Sequence, residues 1–170
     1  SRGADAVAGR LGVDREDVDW LPRHNRATAF FMEHTLAIAR LWAALTAALR
    51  GTEVTIDEWI GEGALRKRDI RVYDYDANRR LPLRPDGYFE LLYPTDTVRC
   101  LFVEIDMGTE TSDRVARKMR AYDSYRRRGF EEDFKFEKFG VLVVTSGRKR
   151  MENLMRVTRH AIDGRLGHFA

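Results

Sequence analysis

Disulfide bonding is excluded before any element is placed, because the chain's 170 residues include one cysteine, Cys100. A lone cysteine inside a strand-like apolar run also rules out a thiolate zinc site and suits a reducing, cytoplasmic setting. Four histidines, His24, His34, His160 and His168, show no metal-ligand spacing among themselves. No long uninterrupted apolar stretch is present. The richest, residues 35–49, is broken by Arg40 and reads as an ordinary helix, so no membrane partner is expected. No signal peptide, internal repeat or low-complexity tract stands out. Nor does one sign of charge dominate: 30 basic against 27 acidic residues leave a net charge of +3, which permits nucleic-acid binding without demanding it.

What is present is a 44% hydrophobic chain long enough to bury one real core. Basic residues gather at Arg66-Lys67-Arg68, Arg79-Arg80, residues 114–120, Arg126-Arg127-Arg128 and Arg148-Lys149-Arg150. Residues 1–25 read as a helical turn and linker, the tail of an upstream helix-turn-helix domain, with the main domain over 26–170. Apolar residues Phe30, Phe31, Ile38, Leu41, Trp42, Leu45 and Leu49, with His34 among them, recur at helical spacing and predict an amphipathic helix over 28–49. On that stripe His34 reads first as a core histidine, with a contribution from Glu33 or His34 to a site as the sharper alternative. Residues 53–60 predict a strand. Residues 61–83 read as irregular, with a short strand at 70–75.

Beyond this point the pattern sharpens. Residues 86–93 and 98–106 predict two strands, and Pro94-Thr95-Asp96-Thr97 between them is turn chemistry, so the pair forms a hairpin. Thr111 or Ser112 caps a helix to Arg128, with Gly129 as its stop. The apolar run 139–145 predicts a strand buried on both faces, and a last helix covers 149–162. The fold class is α/β, with a mixed four-stranded sheet flanked by helices.

Glu104 and Asp106 stand two apart on one strand and so project from one face. Asp86 begins the neighbouring strand, and antiparallel pairing brings it towards the end of the second. Three carboxylates gathered this way repel one another unless a cation neutralises them or one holds a proton. Oxygen donors of this kind suit Mg²⁺ or Mn²⁺. Asp86, Glu104 and Asp106 are therefore the candidate metal ligands, and an ion held there polarises a phosphoryl oxygen. Arg114, Lys118 and Tyr122 recur every four residues along the following helix, which aims Lys118 at the carboxylates. A solvated lysine is the plainer alternative.

Pro85-Asp86, followed after seventeen residues by Glu104-Ile105-Asp106, resembles the motif of the PD-(D/E)xK nuclease superfamily with its final lysine replaced. The element order matches that superfamily's restriction-endonuclease-like αβββαβ core. Closer still, His34, Arg84-Pro85-Asp86-Gly87, Phe102 to Asp106, Gly108-Thr109-Glu110, Lys118 and Tyr122 resemble the replication-relaxation family of plasmids and mobile elements. The resemblance covers residues 26–145. It implies double-stranded plasmid DNA as the partner, and a family N-terminal winged helix that is expected to be missing from this chain. Asp86 and Glu104 would be metal ligands, with Asp106 in the place of the lysine and Lys118 doing its work. Arg114, Arg117, Arg120 and Tyr122 would face DNA, and a homodimer is allowed. Two activities follow as alternatives: a Mg²⁺- or Mn²⁺-dependent endonuclease or nickase, and a catalytically inactive nuclease-fold module that binds DNA or regulates.

Overall fold

A computed structural model describes residues 29–74 and 78–166, together with residues 5, 8–10, 12 and 14. Most of the 1–25 segment, expected as a linker, lies outside the described residues. The chain divides into two compact units, Ser1–Ala37 and Ile38–Ala170. Helix α1 (Ala29–Leu49) begins in the first and ends in the second.

The second unit continues with β1 (Thr55–Gly61), α2 (Glu62–Lys67), β2 (Arg71–Asp74), β3 (Arg79–Pro82), β4 (Gly87–Leu92) and β5 (Val98–Asp106). It ends with α3 (Ser112–Arg128), α4 (Phe130–Phe134), β6 (Phe139–Thr145) and α5 (Arg148–Leu166). The main sheet has the order β1-β4-β5-β6, with the β1–β4 and β4–β5 pairs antiparallel and the β5–β6 pair parallel. The architecture is thus a mixed α/β fold on a mixed four-stranded sheet flanked by helices, as the sequence pattern predicts. No helix among the described residues is long and apolar enough to cross a membrane.

Register decides which side chains share a face. Tyr88 stands opposite Phe102 and Glu90 opposite Cys100, so these four, with Glu104 and Asp106 further along β5, line one face. Phe102 is the hub of that face. It is fully buried, and its ring lies 5.1 Å from Tyr88, 5.7 Å from Tyr122, 5.5 Å from Phe134 and 5.0 Å from Phe139. Aromatic packing of this density, drawn from β4, β5, β6, α3 and α4, anchors the helices to the sheet. The opposite face carries Phe89, stacked on Trp59 at 5.7 Å, and Trp59 in turn meets Trp42 of α1 at 4.6 Å.

Three expectations change. The segment 61–83 is more ordered than its charge runs suggest, holding α2 and a separate two-stranded sheet, β2-β3. Val72 and Leu83 supply the apolar anchors that make this ribbon possible, both being buried. Strand β6 is half-buried throughout rather than buried on both faces, because it is an edge strand with β5 on one side only. Helix α1 buries none of its residues outright, and His34 is half-buried, not a core histidine. Its stripe meets the sheet where Trp42 lies on Trp59, while Phe30, Phe31, Met32 and Leu36 remain exposed.

Candidate functional site

The β4–β5 ladder ends at the rung Gly87–Val103, and Asp86 lies one residue beyond it. Its N–H donates to Val103 O at 3.0 Å, which fixes the residue on the line of the strand. Its side chain then does what another residue's carbonyl would do: Oδ2 accepts the Ile105 N–H at 2.7 Å. Pro85, fully buried just before it, holds the chain extended into this position.

Glu104 is 4% exposed. Lys118 and Tyr122 are one helical turn apart on α3, and both reach its carboxylate: Lys118 Nζ donates to Oε2 at 2.7 Å and Tyr122 Oη to Oε1 at 2.5 Å. Burial pushes the Glu104 carboxyl up to about 7, against the pull of the Lys118 charge, and the nearby negative charge of Asp86 adds to the rise. Burial alone would lower Lys118, but the charge and hydrogen bond of Glu104 win and leave it above its ordinary value. Burial, reinforced by the Glu104 charge, raises the Tyr122 hydroxyl well above its usual range, so it stays a donor.

Asp106 points to the same face but belongs to a different network. The Arg150 guanidinium clasps it as a fork, Nε to Oδ2 at 2.8 Å and Nη2 to Oδ1 at 2.7 Å, and Thr145 Oγ1 adds a third bond to Oδ2 at 2.7 Å. The Arg150 hydrogen bonds hold its carboxyl down at about 2. Arg150 also donates to Glu110 O at 2.9 Å, tying the β5–α3 loop to the first turn of α5. The Glu110 carboxylate in turn meets Arg114 at 3.2 Å and Lys118 at 3.4 Å. Glu104, Asp106, Glu110 and Lys118 line one small cleft together with Val115, Met119, Val143 and Leu154.

The structure thus gathers Glu104, Lys118 and Tyr122 by direct bonds, with Asp86 close enough for its charge to act on all three. Asp106 is engaged by Arg150 instead. Arg114 and Arg117 are exposed and Arg120 half-buried, whereas Tyr122, at 3% exposed, has no surface to offer DNA. Sequence reasoning does not reach Arg150 or Thr145 as partners of Asp106. Thr145 stands beside Asp106 in the parallel β5–β6 register, a relation that becomes visible only once that pairing is known.

The donor chemistry bears on a divalent ion in a graded way. Among the described residues no group of three or more His, Cys, Asp or Glu side chains is gathered as metal ligands. Asp86 and Glu104 remain as hard oxygen donors, and Mg²⁺ is commonly held by one or two carboxylates with water and substrate phosphate completing its shell. Asp106 does not extend that set, because a guanidinium already neutralises both its oxygens. Glu104 is engaged on both oxygens as well, by Lys118 and Tyr122, so an ion there would have to share its carboxylate with those donors, whereas at Asp106 it would have to displace a bidentate guanidinium. A family model described as replication-relaxation matches residues 1–137. No curated protein and no solved structure matches the chain.

Proposed function

Because the chain belongs to the replication-relaxation family, we propose that it processes DNA during the replication or relaxation of plasmids or mobile elements. The working centre in this reading is Asp86, Glu104 and Lys118. One observation carries it: a buried carboxylate poised near neutrality is held 2.7 Å from a lysine, beside a second carboxylate, in a cleft. Perturbed groups arranged in this way are characteristic of reactive sites. Mg²⁺ or Mn²⁺ would be held by Asp86 and Glu104, and when bound would supply Lewis-acid polarisation of a phosphoryl oxygen. Lys118 would place positive charge where a phosphate approaches, the part that Asp106 cannot play. Tyr122 orients the Glu104 carboxylate from below. Double-stranded plasmid DNA is the substrate this reading requires, and a homodimer is compatible with it.

A second reading has its own observation. Both Glu104 oxygens and both Asp106 oxygens already accept bonds from protein donors, so the network is satisfied without any ligand. That favours an inactive nuclease-like module that binds DNA through its basic surface. Supercoiled plasmid incubated with Mg²⁺ or Mn²⁺ separates the two. Nicking by the wild type that is lost in Glu104→Gln and Lys118→Ala supports the first. Equal, background-level nicking by all three proteins overturns it and leaves the second.

A further inference from the structure

The β2-β3 ribbon has one face committed to the core and the other to solvent. Val72 is buried and Leu81, directly opposite it, is half-buried. The alternate rungs Tyr73–Arg80 and Arg71–Pro82 therefore project outward, and all four residues are exposed. The pairing runs one step further, since Leu83 N–H donates to Ile70 O at 2.9 Å, and this carries exposed Arg84 along the same side. Exposed Arg79 flanks the row. Arg71 is matched by Asp69 at 2.8 Å, but Arg79, Arg80 and Arg84 make no ion pair among the described residues.

The ribbon is also well braced. The Tyr73 hydroxyl donates to Asn78 Oδ1, and the Tyr73 carbonyl accepts from Ser124 Oγ of α3 at 3.4 Å. Arg80 and Arg84, exposed on one side of this strand pair and in no ion pair among the described residues, complement an anionic rod, and a two-stranded ribbon has the width that the major groove of duplex DNA admits. We propose that the outward face of β2-β3 binds duplex DNA, with Arg80 and Arg84 on phosphates. The proposal rests on the DNA-processing reading and adds where the duplex is held. Pro82 and Asp86 are joined by three residues, two of which, Leu83 and Pro85, are buried. At most about 14 Å of chain separates ribbon from site. Duplex lying on the ribbon is therefore held by a part of the chain joined closely to Asp86.

The test is equilibrium binding of a short fluorescent duplex to the whole chain in EDTA, repeated across a salt series. Arg80→Ala/Arg84→Ala should weaken binding about tenfold or more and reduce the slope of log K against log salt by about two, close to one for each phosphate no longer neutralised. Arg80→Lys/Arg84→Lys should restore the slope. Arg99→Ala/Arg156→Ala removes the same charge elsewhere and should leave the slope as in the wild type. Nicking is scored separately on the same proteins, so a wild type that binds duplex in EDTA but never nicks it with Mg²⁺ fails the DNA-processing reading and leaves the ribbon standing. Three results overturn the proposal: no duplex binding by the wild type, equal losses in both alanine pairs, or preference for single strands that disappears in Tyr73→Ala.

Discussion

Asp86 completes the backbone hydrogen bonding of β5 with its side chain, accepting the Ile105 N–H at 2.7 Å where the partner strand has already ended. The same carboxylate thus has a structural task and a place beside Glu104. The two can be separated. Asp86→Ala orphans the Ile105 N–H and should cost about 1–3 kcal/mol in urea unfolding. Asp86→Asn keeps a carbonyl acceptor and should cost less than half of that. Nicking lost in Asp86→Asn at near-wild-type stability would assign the charge, rather than the fold, to the chemistry.

Glu104 gives the unfolding free energy a pH signature. Its carboxyl, pushed up from 4.5 to about 7 chiefly by burial, binds a proton in the folded state where the unfolded chain has released it. Its contribution is therefore fully present below pH 4.5 and is lost as pH rises through about 7. Glu104→Gln should remove that decline, so that its urea midpoint stays flatter than the wild type's from acid to neutral pH. Parallel curves for the two proteins would contradict the assignment.

Asp106 behaves in the opposite sense. With its carboxyl lowered from 3.8 to about 2 by Arg150, it stabilises the fold above 3.8, and that contribution is lost as pH falls through about 2. Arg150→Ala leaves a mostly buried carboxylate without its partner and should cost about 3 kcal/mol. Arg150→Ala/Asp106→Asn should cost clearly less than the sum of the single changes, which a double-mutant cycle by chemical denaturation measures. Additive losses would mean that the fork contributes nothing.

Phe102 joins β5 to the aromatic side chains on its face of the sheet. Phe102→Ala should destabilise by about 3–5 kcal/mol and lower Tm accordingly. Gly129 makes a smaller, sharper point. It is the helix stop the sequence suggests, and its φ is −143°, a backbone that other residues adopt freely. What forbids a side chain is Tyr125, whose ring atoms would lie 2.9 Å from an added Cβ. Gly129→Ala should cost about 1–3 kcal/mol, and Tyr125→Leu should reduce that penalty.

These cases mark what a linear sequence can and cannot convey. The hairpin, the α3 helix and the meeting of Lys118 with Glu104 follow from periods of two and four residues and from antiparallel geometry, all of which are local. Thr145 and Arg150 act on Asp106 through a parallel pairing and a helix docking 39 and 44 residues away, and no short-range pattern specifies either. Of the β2-β3 ribbon, β2 falls within the strand expected at 70–75, but β3 and the pairing are hidden for another reason. Strand β3 is four residues long, too short for alternation to stand out among arginines.

The Arg150 fork has a consequence for the order in which the chain assembles. The β4–β5 hairpin can form from contacts close in sequence, but at that stage Asp106 has no cation, because its partner has yet to be docked. Setting α5 in place closes a long loop and neutralises the carboxylate in one step, so this docking is expected to be late on the folding path. An interaction absent from the transition state governs unfolding rather than folding. Arg150→Ala should then hasten unfolding while leaving the refolding limb of a stopped-flow chevron nearly unmoved, making the last helix the clasp that sets the lifetime of the native state.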